Sequence, residues 1–226
     1  MGIILKKEIF NTDNKEFLDR YFDSLVNRFT YSNMSNSKTT VILNDNMKAF
    51  KYLLGKLSIN EGMSKELIKT VANMVNSSNP YISNEYRKIG NVIADTDIPI
   101  SSPDNIDTEL SILLDYYNNQ WSTLDAYQRE ALFNFYFIRI HPYEDGNRRT
   151  SRLILNFNLL RQGLSPVIIT SELNEAYYKC IKYADVDSLA RLFREQSLKE
   201  NEFIDILYMD YCKEKEEHED NIHKIK

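Results

Sequence analysis

Ala131-Leu132-Phe133-Asn134-Phe135-Tyr136-Phe137-Ile138 sits within a longer apolar stretch that runs from Leu124 to Ile140. Its hydrophobic residues neither alternate nor keep to one stripe. A stretch of helical length that is apolar almost all round predicts a buried central helix. Pro142 ends it, since proline lacks an amide donor and clashes with the preceding turn. A helix without a polar face must be enclosed by others, so this stretch predicts an all-α, mainly helical bundle.

The flanking sequence supplies the enclosing helices. Phe17, Leu18, Tyr21, Phe22, Leu25, Val26 and Phe29 recur at helical spacing, with Thr12 or Asp13 placed to cap them. Met47, Phe50, Leu54 and Leu57 repeat the pattern, as do Leu67, Ile68, Val71, Met74 and Val75 behind a capping Ser64. Ile106 to Tyr117 follows Pro103-Asp104. Leu153 to Leu160 ends at Gly163, a C-terminal cap. Leu173 to Tyr183 and Leu189 to about Tyr211 complete the set, and Lys213 to Lys226 reads as a frayed, solvated charge run. One region departs from helical spacing. Tyr86 to Pro99 holds two β-leaning pieces around Ala94-Asp95-Thr96-Asp97, which predicts a small β-hairpin.

Composition narrows the functional classes. Of 226 residues 42% are hydrophobic and 27% charged, enough for a sizeable core and too ordered a mixture for a disordered chain. A net charge of −5 disfavours a nucleic-acid partner, and no apolar run approaches membrane-spanning length. Two cysteines, Cys180 and Cys212, make no disulfide framework, so a reducing, cytoplasmic setting is expected. An apolar helix face such as that of Phe17 to Phe29 could also serve a homo-oligomer.

The chemistry concentrates in His141-Pro142-Tyr143-Glu144-Asp145-Gly146-Asn147-Arg148-Arg149-Thr150-Ser151-Arg152, which joins the central helix to the next. The other two histidines, His218 and His223, lie in the charged tail. A helix start offers free N–H groups to an anion, and Arg149 and Arg152 are three apart, on one face of the first turns. Cations are disfavoured at that end by the helix dipole, so several arginines there suggest a strong anion such as a polyphosphate. Asp145 could then hold Mg²⁺, an oxygen-seeking ion, and His141 could act as general base. Zinc fits poorly, because no second His or Cys lies near His141 and Asp145.

This segment resembles the Fic-domain signature His-x-Phe-x-(Asp/Glu)-Gly-Asn-Gly-Arg-x-x-Arg. It matches at His141, Asp145, Gly146, Asn147, Arg149 and Arg152, with Tyr143 in place of Phe. The sequence from Thr150 to Asn156, from Gly163 to Ile169, and Tyr177-Tyr178 is similar as well, so the resemblance spans roughly residues 30 to 195. It implies a Fic fold and a protein adenylyltransferase, which moves AMP from ATP to a Ser, Thr or Tyr hydroxyl of a target protein, or of itself, and releases pyrophosphate. On the resemblance, His141 would deprotonate the hydroxyl and Asp145 would hold Mg²⁺ between the α- and β-phosphates. Asn147 and the backbone after Gly146 would cradle the α-phosphate, and Arg149 and Arg152 the β- and γ-phosphates. Tyr143 would lie beneath the loop and fix His141, while Tyr178 and Asp185 would contact adenine. The hairpin corresponds to the family's flap, where a target docks by strand addition, with Asn91, Val92, Ile93, Ala94 and Asp95 at its edge. The implied division is an N-terminal helical segment at 1–29, a degenerate inhibitory helix at 30–37, a Fic core at 38–211 and a charged tail at 212–226.

Two departures bear on activity. Arg148 replaces the second signature glycine. If that position is helical, arginine adds a cation at little cost; if it needs a positive φ, it strains the loop by about 1–2 kcal/mol. In the family's inhibitory motif a glutamate pairs with the last signature arginine, and here Ser35 stands at that place, which implies weak or absent autoinhibition. Two alternatives remain open. One is a Fic-type phosphotransferase, although the Doc-like kinase variant carries Lys where this chain has Arg149. The other is a catalytically degenerate binding module.

Overall fold

The computed structural model describes residues 14–32, 40–57, 62–82, 85–93 and 96–225, with side chains through residue 217. Thr12, Asp13, Ser35, Ala94 and Asp95 lie outside the described residues, so the expectations placed on them are not addressed. Among the described residues there are eight α-helices and no strand. They are α1 (Lys15–Ser32), α2 (Thr40–Lys56), α3 (Lys65–Val75), α4 (Ile106–Asp115), α5 (Ala126–Ile140), α6 (Asn147–Arg161), α7 (Asn174–Tyr183) and α8 (Val186–Ile225). A π-helical turn, Tyr116–Gln120, extends α4.

Local chemistry sets most boundaries. Ser64 caps α3, its side chain accepting from the Leu67 amide at 3.1 Å. Asp125 does the same for α5 through the Tyr127 amide. Gly163, at φ +68, closes α6: its amide donates to the Leu160 carbonyl and that of Leu164 to Leu159, the double bond pattern of a left-handed C-terminal cap.

The central helix is α5, packed against α4, α6 and α8. Its lack of a polar face has a clear cause, because it divides two apolar clusters. Phe133, Phe137 and Ile140 face one, with α1, α2, α3 and α4. Tyr127, Ala131, Phe135 and Ile138 face the other, with α7, the start of α8 and the 164–169 segment. α6 straddles the same divide through Leu153, Ile154 and Phe157 on one side and Leu155 and Leu159 on the other.

Among the described residues of the expected hairpin there is no strand. The Arg87 amide donates to the Pro142 carbonyl at 2.9 Å and the Ser101 amide to Arg139 at 2.9 Å. Both ends of the 85–101 segment are thus bonded to the end of α5 rather than to each other. Between them Thr96 folds back on the Ile93 carbonyl through its amide and its hydroxyl. Ile93 and Ile98 are buried, 6% and 5% exposed, in the second cluster, while Val92 is exposed. The β-leaning pieces had suggested a hairpin; the described residues instead form a connection with Ile93 and Ile98 turned into the core. The expected frayed tail also differs, since α8 continues to Ile225. Its added turns pair with α1, Glu214 accepting from Arg20 at 2.7 Å and Lys215 meeting Glu16 at 3.1 Å.

Candidate active site

α5 ends abruptly. His141 takes left-handed dihedrals, φ 49 and ψ 59, while its amide still bonds to Phe137. Pro142 forbids continuation, and the chain turns through Tyr143, Glu144 and Asp145 to Gly146 at φ +81, from which α6 begins. The turn is built inward. The Tyr143 ring is 1% exposed beneath the loop and 5.7 Å from that of Tyr86, as expected for a residue that supports His141. The Asn147 side chain is buried and closes on the loop backbone, accepting from the Tyr143 amide at 2.9 Å and donating to its carbonyl at 2.7 Å. This asparagine therefore shapes the loop, whatever else it touches.

His141 is largely buried; among the described residues its Nδ1 has no well-aligned hydrogen-bond partner, though the Ile138 carbonyl lies near the ring. Burial drives its pKa from the ordinary value near 6.5 down to about 4; the Ile138 carbonyl and Asp145 oppose the shift and Arg87 reinforces it. The imidazole is neutral at physiological pH, the form that accepts a proton. Asp145 presents an exposed carboxylate, with Oδ1 accepting from the Gly146 amide at 2.6 Å and Oδ2 3.0 Å from Arg149.

The three arginines go to different neighbours. Arg149 reaches the end of α3, donating to the Val75 carbonyl at 2.6 Å and to Asn76 Oδ1 at 2.9 Å. Arg152 is 2% exposed; it donates to the Ile169 carbonyl at 3.2 Å and to Asn174 Oδ1 at 2.8 Å, and lies 5.1 Å from the Tyr177 ring. Burial lowers its pKa to about 10, so it remains charged. Three-residue spacing put Arg149 and Arg152 on one face, but their partners separate them. Arg148 sits within the first turn of α6, half-buried, its guanidinium 5.9 Å from the centre of the Tyr178 ring. The position is helical, so the substituted glycine was not needed for a positive φ; of the two signature glycine positions only Gly146 has one. The first N–H groups of α6 have no intrahelical acceptor, and no side chain at the Gly146 cap satisfies them.

Tyr178 thus joins the signature helix through Arg148. Asp185 behaves otherwise: it is exposed and accepts from the Ser188 amide at 3.0 Å, an N-cap for α8. Asn91 also reaches the loop, donating to the Glu144 carbonyl at 3.0 Å. Spacing along the chain missed Asn76, whose amide bonds to the Asp145 carbonyl at 3.0 Å, and Asn174, which holds Arg152. Both are remote in sequence and carry no motif. A groove of about 440 Å³ lies elsewhere, between α4 and α5, lined by Ile112, Tyr116, Trp121, Tyr136 and others, and none of the expected site residues lines it.

A histidine in a left-handed turn, an exposed carboxylate and a cation-flanked helix N-terminus thus share one loop of a helical domain. Residues 59–159, a little under half of the chain, match the Fic/DOC family model. Over 94 residues it is 33% identical to protein adenylyltransferase fic-1 of Caenorhabditis elegans, covering 41% of this chain and 18% of that protein. Over 64 residues it is 44% identical to protein adenylyltransferase Fic of Drosophila melanogaster, covering 28% of this chain and 13% of that protein. The matched region spans less than a fifth of either relative. The fold is shared with a Fic-domain-containing signalling protein of Bacteroides thetaiotaomicron, with a TM-score of 0.64, 22% identity, and 86% of this chain and 88% of that one covered. It is shared also with a fragment of Caenorhabditis elegans Fic-1, with a TM-score of 0.70, 19% identity, and 93% and 70% covered.

Proposed function

We propose that this chain is a protein adenylyltransferase that transfers AMP from ATP to a hydroxyl of a target protein, itself included. The observation that carries the reading is the short loop between α5 and α6, which joins His141 in its left-handed turn to the exposed Asp145 carboxylate and the uncapped first turn of α6 with Arg148. Nδ1 is the buried ring nitrogen, so Nε2 is the one placed to take the hydroxyl proton. The freed oxygen attacks the α-phosphorus, the bond from that phosphorus to the β-bridging oxygen breaks, and pyrophosphate leaves. The N–H groups that open α6 stabilise charge on the α-phosphate.

Magnesium fits the donors present. It is commonly held by one or two carboxylates with phosphate oxygens and water, and Asp145 is an exposed carboxylate. When bound, it would neutralise phosphate charge. Among the described residues the Arg148 guanidinium meets no carbonyl or carboxylate, which favours it over the buried Arg152 as a contact for the β- and γ-phosphates. Its helical dihedrals also remove the strain that would have argued for a degenerate module. The target would approach over the 91–98 segment, whose exposed Val92 lies beside the buried Ile93. We place the reaction in the cytoplasm, with Ser35 giving no inhibitory ion pair.

Incubation with Mg²⁺ and ATP labelled at the α-phosphate tests this. Label should enter the chain or a lysate protein and be lost in His141→Ala. Transfer from the γ-position alone would replace adenylylation by phosphorylation.

A further inference from the structure

Arg87 is 2% exposed, among the most deeply buried charged residues described, and is bonded almost wholly to backbone carbonyls. Its Nε donates to the His141 carbonyl at 2.7 Å. One terminal nitrogen donates to Ile89 at 3.1 Å, and the other is shared between Ser101 and Ile140, the latter at 3.3 Å. Its own amide donates to the Pro142 carbonyl at 2.9 Å. Among the described residues no carboxylate lies within ion-pair distance of it, though Glu109 is near enough to favour its charge.

We propose that Arg87 is a positioning residue for His141, a single guanidinium that holds the left-handed turn carrying the imidazole and ties the 87–101 segment to it.

Three observations converge on this. The carbonyls of Ile140 and His141 close a helix and have no intrahelical donor, so they need an outside one. A cation suits that end of the helix dipole. A left-handed dihedral pair on a non-glycine residue persists only where the surroundings impose it, and Arg87 bonds directly to that residue. The planar fork of donors explains the residue type. Lysine carries the charge but cannot span four carbonyls on three chain segments. The same guanidinium disfavours the imidazolium form of His141, with burial the larger influence and the Ile138 carbonyl and Asp145 opposing.

This inference rests on the reading of His141 as the base, so its test includes a readout independent of turnover. The full chain is titrated by NMR of imidazole carbon-bound protons, with His141 assigned by its loss in His141→Ala. Arg87→Gln should raise the His141 midpoint above that of the wild type. Arg87→Lys should leave the midpoint low but cut kcat for α-phosphate labelling by about tenfold or more with little change in the KM for ATP. Circular dichroism checks that each variant is folded; if Arg87→Gln does not fold, Arg87→Lys decides the matter. A folded variant with an unaltered His141 titration and wild-type kcat would overturn the proposal. If His141→Ala still labels, the base assignment fails, while the His141 midpoint still reports whether Arg87 governs that imidazole.

Discussion

The turn at His141 shows how little freedom the loop residues have. Gly146 cannot be replaced cheaply. At φ +81 a Cβ would lie 2.8 Å from Asn76 Nδ2 and 2.9 Å from Val75 Cγ2, and the Asn76 amide is already bonded to Ala72, Asp145 and Arg149. Gly146→Ala is expected to lose about 2 kcal/mol or more of stability in denaturant unfolding, from the left-handed cost together with the collision. Arg148→Gly, which restores the family residue at a helical position, should unfold at nearly the wild-type midpoint. It should bind ATP with Mg²⁺ about tenfold more weakly in calorimetry, since it removes a charge-assisted contact worth ~1.4 kcal/mol. His141 gives a pH signature. Because its pKa lies near 4, α-phosphate labelling measured in single turnover should stay level from pH 8 to about pH 5 and fall as the imidazole protonates below that. An unperturbed histidine would lose activity about 2.5 pH units sooner.

Among the elements, α5 illustrates where sequence reading succeeds. An all-round apolar helix has to be central, and packing against α4, α6 and α8 follows from that. Its one fully buried acid, Glu130, was not singled out beforehand. Tyr117 donates to it at 2.6 Å and Asn158 at 2.9 Å, yet burial raises its pKa from the ordinary 4.5 to about 7. The folded state therefore binds this proton more tightly than the unfolded chain does. Glu130 favours folding most below pH 4.5, and that contribution is lost as pH rises through 7. Glu130→Gln should flatten the decline in melting temperature between pH 5 and 8, read by circular dichroism at matched ionic strength. The 85–101 segment is the case where reading failed. Its β-leaning pieces suggested a hairpin, but a strand needs a partner edge, and the Arg87 and Ser101 amides bond to carbonyls at the end of α5 instead.

Across the molecule, α8 ties the N-terminal helix to the rest. Arg28 donates two 2.7 Å bonds to Glu200, a residue 4% exposed, and Tyr21 adds a third at 3.0 Å. Arg28→Ala leaves a buried carboxylate with one neutral donor and should cost about 2–3 kcal/mol in urea unfolding, whereas Glu16→Ala, at an exposed pair, should cost less than about 1 kcal/mol. Helix count, the central helix, the Ser64 and Gly163 caps and the Fic signature were all legible beforehand, because each depends on neighbours within a few residues. The partners of the signature arginines were not. Arg149 meets α3 some seventy positions earlier, and Arg152 meets Asn174 across an intervening loop.

The sequence by itself determined the helical class, the position of the loop between α5 and α6 and the residue types it carries, since periodicity, caps and motif spacing act locally along the chain. Only the tertiary structure decided that Arg152 turns inward, that Arg148 is helical and unstrained, and that Arg87 holds the histidine turn. Burial and long-range hydrogen bonding select those arrangements, and both depend on which distant backbone groups are left without a partner once the helices have packed.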